Sequence, residues 1–179
     1  MNKLPSAILS LFLLMIVCSC KPVSLEEQRV IATAFVQDEI TNGQKAAEQG
    51  AMALCNIDLD QGKEAYQQKV CEQTTPTGCQ VISIQIDDVW QDFTTTYQLP
   101  RLTCELKTSQ LLEESRQFGM QVQFWLVKLE GKEYEPQNSS DREYWLQVAL
   151  QDGSWKLNRI LLVDEIRYYA VVESANQKQ

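Results

Sequence analysis

Apolar positions recur at helical spacing in the first half of the chain and alternate with polar ones in the second half. Ser24-Leu25-Glu26-Glu27 reads as a capping box, with Glu27 three residues beyond the cap Ser24. Val30, Ile31, Ala34 and Phe35 then form one stripe of a helix. Asn42-Gly43 predicts its end, with Gly43 in the left-handed terminal role. Gln44 to Asn56 predicts a second helix, whose Ala46, Ala47, Gly50, Ala51, Leu54 and Cys55 suit close packing on a neighbour. A third runs from Gln61 to Glu72, entered through Asp60 and weakened by Gly62.

After Thr75-Pro76-Thr77-Gly78, read as a turn, the period changes from 3.6 to 2. Ile82, Ile84 and Ile86 predict one strand, and Leu102, Cys104 and Leu106 a second. The clearest alternation is Phe118, Met120, Val122, Phe124 and Leu126, and Tyr144, Leu146, Val148 and Leu150 repeat it. Asp152-Gly153 predicts a hairpin turn into Trp155, Leu157 and the run Ile160-Leu161-Leu162-Val163. Glu130 to Arg142 is polar and reads as a long exposed loop, while Asp164 to Gln179 fits either an extension of the last strand or a short helix. Helices followed by antiparallel strands with one apolar face predict an α+β domain, the Ala-rich helices covering that face.

The first twenty residues stand apart. Lys3 precedes Leu4 to Cys20, a charge-free run with an apolar centre at Ile8 to Val17. So short a run suits a signal-peptide core better than a bilayer span. It closes as Val17-Cys18-Ser19-Cys20, which resembles the lipobox of bacterial lipoproteins, with small Ser19 at the cleavage position and Cys20 as the residue that receives lipid. Cysteine parity agrees. Lipidation at Cys20 after loss of Cys18 leaves Cys55, Cys71, Cys79 and Cys104, whereas ordinary cleavage before Cys20 leaves an unpaired thiol in an oxidising compartment. The organisation expected is a signal peptide over 1–19, a lipidated tether over 20–23, an α+β domain over 24–166 and a tail over 167–179. Lys21 stands where lipoproteins held in the inner membrane commonly carry Asp, so the resemblance implies a bacterial envelope location with the outer membrane favoured.

Composition narrows the chemistry. The 179 residues contain 16 Lys and Arg against 24 Asp and Glu, a net charge of −8 that disfavours nucleic acid. Loss of Lys3 with the leader leaves 15 cations against 24 carboxylates, a net −9, so an anionic membrane surface repels the body and attachment falls to the lipid alone. There is no histidine, which removes imidazole acid–base catalysis and His-ligated zinc. With no Cys-x-x-Cys pair, the four remaining cysteines read as two structural disulfides; neither a metal nor a cofactor is expected. Cys71–Cys79 with Cys55–Cys104 is favoured, stapling the turn and joining a helix to the sheet. Cys55–Cys71 with Cys79–Cys104 stays open as an alternative. Chain entropy assigns roughly 2–3 kcal/mol to the short loop and roughly 4 to the long one.

The order of helices, then strands, closed by Asp152-Gly153-Ser154-Trp155-Lys156-Leu157 and an aliphatic run, resembles the nuclear-transport-factor-2-like superfamily. That implies a cone-like fold of the cystatin or nuclear-transport-factor-2 kind, with N-terminal helices packed on a curved antiparallel sheet over roughly Ser24 to Val163. The superfamily includes isomerases and dehydratases that use an Asp in an apolar cone, and non-catalytic envelope proteins. Asp87, Asp88 and Asp92, near Trp90, Phe93 and Tyr97, are the carboxylates such chemistry could use, although they read more readily as a solvated edge. Trp90, Trp125, Trp145 and Trp155 read as sheet packing, and Trp125 and Trp145, opposite the main apolar stripes of their strands, as a contact patch on the outer face. Asn138-Ser139-Ser140 matches a glycosylation sequon that a bacterial leader makes meaningless.

The function expected is therefore a lipid-anchored, non-catalytic envelope module that contacts another envelope protein. The alternatives are a small-ligand binder using the cone, or a His-free isomerase or dehydratase. Replacing Cys20→Ser is expected to leave the precursor unlipidated and mis-sorted; palmitate labelling that persists in this variant contradicts the assignment.

Overall fold

The computed structural model describes residues 25–97, 100–133 and 139–176. The lipobox residues Cys18 and Cys20, the tether to residue 23 and Asn138 lie outside them. The elements are α1 (Leu25–Cys55), β1 (Ile57–Asp58), α2 (Lys63–Glu72), α3 (Pro76–Asp92), β2 (Arg101–Gln117), β3 (Met120–Glu133), β4 (Ser139–Gln151), β5 (Ser154–Ile160) and α4 (Val163–Asn176). The chain divides into two units, Met1–Gln37 and Asp38–Gln179, and every contact described below lies within the second. The class is α+β: helices cover an open five-stranded antiparallel sheet in the order β1-β2-β3-β4-β5.

Both faces of this sheet are covered. On one, Ala47, Ala51, Leu54, Val70, Ile82 and Ile86 from α1 to α3 enclose Cys104, Trp125, Val127, Leu129, Leu146, Val148 and Leu157. On the other, Val122, Phe124, Leu126, Trp145 and Ala149 pack with Leu161 and with Tyr169 of α4. Register ties the two sets together: Trp125 stands opposite Leu146, and Leu126 opposite Trp145. Because adjacent residues point to opposite faces, the apolar stripes of β3 and β4 face different layers.

Several elements differ from the sequence expectation, each for a local reason. Asn42-Gly43 does not end the first helix, which continues unbroken to Cys55. A β-carbon at Gly43 would collide with Oε1 of the buried Gln123, so this glycine lets helix and sheet approach rather than stopping the helix. The Ile82–Ile86 strand is instead part of α3. Thr75 caps it by accepting from the Gly78 N–H at 2.9 Å, and Pro76 occupies the first turn. Gly78, Ile82 and Ile86 form the buried face, while Ile84 is 75% exposed. Phe118 is not in a strand; with Gly119 it forms the β2–β3 turn, at φ of 50° and 82°. Asp152-Gly153 makes the β4–β5 turn with φ of 51° and 76°. The polar stretch after Glu130 extends β3 to Glu133, and β4 starts at Ser139. The expected tail begins inside α4, whose buried Tyr169 belongs to the body.

Covalent and polar ties fix the layers. Cys55–Cys104 joins the end of α1 to β2, and Cys71–Cys79 links α2 to α3. Arg159 on β5 holds Glu165 of α4 through two hydrogen bonds of 2.6 and 2.7 Å. Those bonds hold the Glu165 carboxyl below its usual value, reinforced by the Leu162 N–H and opposed by partial desolvation. A carboxylate with a lowered folded pKa stabilises the fold above its ordinary value near 4.5, and that contribution is lost as pH falls through the lowered value.

Two outcomes follow from these contacts. Gly78→Ala would put a β-carbon 2.5 Å from the Asn158 carbonyl oxygen; it is expected to cost about 1–3 kcal/mol, read by urea unfolding. Glu165→Gln is expected to lower stability at neutral pH, with the difference from wild type shrinking as the pH falls below 4.5. A pH-independent difference would mean that the ion pair contributes nothing.

Candidate functional site: the free edge of the sheet

The two edges of the sheet are treated differently. At β5 the backbone is covered at Leu157: the Thr75 N–H donates to the Leu157 carbonyl at 2.8 Å, and the Leu157 N–H donates to the Gln73 carbonyl at 3.0 Å. Thr75 Oγ1 adds a 2.9 Å bond to Asn158 Oδ1. At the opposite edge, β2 is 17 residues long but β1 pairs only with Leu102 and Arg101. Asn56 Oδ1 accepts the Cys104 N–H at 2.8 Å. Beyond that, from Glu105 to Gln117, no strand lies against the outer side of β2 among the described residues. A long unpaired edge is a template for another strand.

Two open hollows of about 410 and 350 Å³ border the start of this edge and share Met52, Asn56 and Lys69. The first is also lined by Glu48 and Leu106, the second by Thr103, Cys104 and Arg101. Glu48 and Gln44 on α1 both bond to Ser109 Oγ, which fixes α1 over one face beside the edge. On the other face, Lys132–Glu105, Lys107–Asp141 and Lys128–Glu143 form a ladder of exposed ion pairs at 2.6, 2.6 and 3.0 Å. Such pairs contribute little stability; the Asp141 hydrogen bond raises the Lys107 pKa, so the ammonium is held charged.

The edge is not uniform. Its pairing with β3 slips between Leu106 and Thr108 and again between Leu111 and Glu113. Two residues of β2 thus face one of β3 at each of two bulges, which kink and twist the strand. Ser109 and Leu111 point to the helix-covered face, opposite Val127 and Trp125, and Gln110 to the other, opposite Leu126.

The carboxylates proposed for catalysis are not assembled into a pocket. Asp87, Asp88 and Asp92 are exposed on α3, and Asp87 pairs with Lys63 at 2.9 Å. Phe93 turns into the core, Trp90 packs against Tyr66 with ring centroids 5.9 Å apart, and the side chain of Tyr97 lies outside the described set. The isomerase or dehydratase reading loses its base, because α3 turns Ile82 and Ile86 inward and leaves these carboxylates in solvent. Where a ligand-binding cone would be hollow, Trp125, Val127, Leu129, Leu146 and Val148 fill the space beneath the helices.

The proposed Trp125 and Trp145 contact patch is overturned as well. Trp125 is 2% exposed beneath α1 to α3, and Trp145 is 8% exposed on the opposite face with Tyr169. The expectation failed because it assumed one covered face, whereas α4 covers the second. Trp125 Nε1 donates to Gln123 Oε1 at 3.2 Å, and Trp155 Nε1 to Glu39 at 2.7 Å. The edge itself was not found from the sequence. The only signal for it was the brevity of any strand partner between the helices and Arg101.

No protein-family model matches this chain, and no curated protein matches it. Among solved structures the chain is similar to the periplasmic domain of DotI, with a TM-score of 0.52 and 8% identity over 66% of this chain and 90% of that one. A periplasmic fragment of TraM aligns with a TM-score of 0.45 and 10% identity over 70% and 94%. The DotI likeness is one of fold.

Trp125→Ala and Trp145→Ala are each expected to cost about 3–5 kcal/mol of stability, as deletions from a packed core. Urea unfolding that shows either variant as stable as wild type would restore the surface-patch reading.

Proposed function

We propose that this chain is a non-catalytic protein-interaction module of a bacterial envelope, tethered by lipid on Cys20 and docking partners through the free edge of β2. The observation that carries it is the contrast between the two sheet edges: the middle of β5 is taken at Leu157 by Gln73 and Thr75, while among the described residues no strand lies against β2 from Glu105 to Gln117, beside a groove. Exposure of Asp87, Asp88 and Asp92 removes the strongest catalytic set. Two disulfides suit an oxidising compartment, and the fold shared with the periplasmic domain of DotI supports an extracytoplasmic setting. The finer reading of the fold as nuclear-transport-factor-2-like, with the cone filled by side chains, draws support from α1 to α3 laid on the face that Trp125, Val127 and Leu146 fill. Among the described residues no helix is long and apolar enough to cross a membrane.

The test places a benzophenone amino acid at Leu106 or Thr108 of the full chain in intact cells, with Ile84 on the far surface of α3 as control. Discrete adducts from the edge positions alone are expected. Equal labelling from all three, or none from the edge, overturns the docking role. In the same cells, membrane release of the Cys20→Ser chain is expected; retention would reject the lipid tether.

A further inference from the structure

The bulged edge also specifies its partner: we infer that two copies of this chain pair through β2, antiparallel, about a two-fold axis at Gln110. This rests on the reading of the β2 edge as the docking surface. The open segment runs from Glu105, just past the Cys104 N–H that Asn56 holds, to Gln117, and Gln110 lies near its middle. In an antiparallel pair about that point, residue 105 meets 115 of the other copy, 107 meets 113 and 108 meets 112.

Three features bear on that relation. The bulges come first. The slips leave Lys107 and Leu112 without a β3 partner; under the axis these meet Glu113 and Thr108, so the doubled positions Lys107-Thr108 and Leu112-Glu113 face each other as pairs. A straight strand would lose register at the first bulge, whereas the same strand reversed carries its irregularities in the matching places.

The second feature is the direction of the side chains. Residues that face each other across an antiparallel pair must lie on one face of the continuous sheet. Ser109 and Leu111 share the helix-covered face. Leu112 packs in the opposite cluster and Thr108 stands opposite Lys128 on that same side. Glu113 bonds Tyr169 of that cluster, and Lys107 reaches Asp141, which stands opposite Glu130 on that side too. Displacing the axis by half a residue, so that Gln110 faces Leu111, would set residues of opposite faces together.

Charge is the third. The relation brings Lys107 opposite Glu113 of the second copy, twice, on the face that carries Tyr169. On the helix side it brings Glu114 opposite Leu106, whose groove also holds the Lys69 side chain. No like charges meet directly. By contrast, a register displaced by one residue, with the axis at Ser109, would set Glu105 against Glu113, which is unfavourable. The interface is isologous and closes on itself.

The experiment uses the full chain in bacterial membranes. Gln110→Cys, treated with a short bis-maleimide, is expected to give a covalent homodimer linked 110 to 110, while Gln85→Cys on α3 gives none. Lys107→Cys and Glu113→Cys are expected to link only when both substitutions are present in one chain. A homodimer from Lys107→Cys alone would place the axis elsewhere and overturn the inference. Linkage from position 110 to a different protein would overturn the second copy as partner while leaving the edge as a docking surface. No linkage of any kind from the edge would overturn both. Gln110→Lys places two ammonium groups on the axis and is expected to weaken dimerisation about fivefold, read by sedimentation of the detergent-solubilised chain. Because the position is exposed, the circular dichroism is expected to be unchanged; unaltered sedimentation would also reject the pairing.

Discussion

Burial of β3 on both faces is the constraint on which the rest of this structure depends. Phe124, Trp125, Leu126 and Val127 are consecutive, and none is more than 2% exposed. Because adjacent residues of a strand point oppositely, such a run demands an apolar cover on each side at once. The three helices before the sheet supply one cover and α4, arriving last, supplies the other. Neither layer is dispensable, since leaving either face open would expose large aliphatic and aromatic groups at a cost of about 25 cal/mol per Å².

The demand for close approach on the helix side explains the composition of α1. Gly43 stands against Gln123, and a β-carbon at Gly50 would lie 3.0 Å from the Leu157 side chain. With Ala47 between them and Ala51 next to Gly50, these positions let the helix axis sink toward the sheet. Cys55–Cys104 fastens that helix at its end, with Cα atoms 6.0 Å apart. Gly78 performs the same service for α3, whose first turn presses on the β5 backbone at Leu157 and Asn158. The chain leading into α3 thereby occupies the middle of the β5 edge. The short β1 cannot do the same for the much longer β2, so the two edges end up chemically unlike.

The strands Leu102–Leu106, Tyr144–Leu150 and the Asp152-Gly153 hairpin were legible because their alternation and turn chemistry agree with one covered face or a local rule. What misled was period. Ile82, Ile84 and Ile86 alternate as a strand would, yet the spacing from Gly78 to Ile82 to Ile86 is also one helical face, and Thr75-Pro76 is a cap as readily as a turn. Tertiary packing decided between two patterns the same residues satisfy. The continuous run through Phe124 to Val127 held the clue to two-sided burial, but reading only its even positions turned Trp125 outward. The free edge lay further from view still, since it is defined by which backbone lacks a neighbour and not by any side chain.

An open edge beside a covered one bears on how such a protein avoids indiscriminate assembly. Two open edges would let sheets join end to end without limit, as aggregating strands do. Here the middle of β5 is occupied at Leu157 by Gln73 and Thr75, so a copy that pairs through β2 offers only a short, interrupted second edge for growth. The two bulges and Lys107 act in the same direction, because they spoil the fit of a flat, regular strand while permitting one that carries the same irregularities reversed. An association built on that geometry stops at two chains, and its selectivity resides in backbone shape and charge placement, not in apolar area. An acidic chain of net charge −8 adds a general repulsion between copies, which the oppositely charged positions on β2 must offset locally. Contacts that form only in one register are the means by which a polar edge can do so.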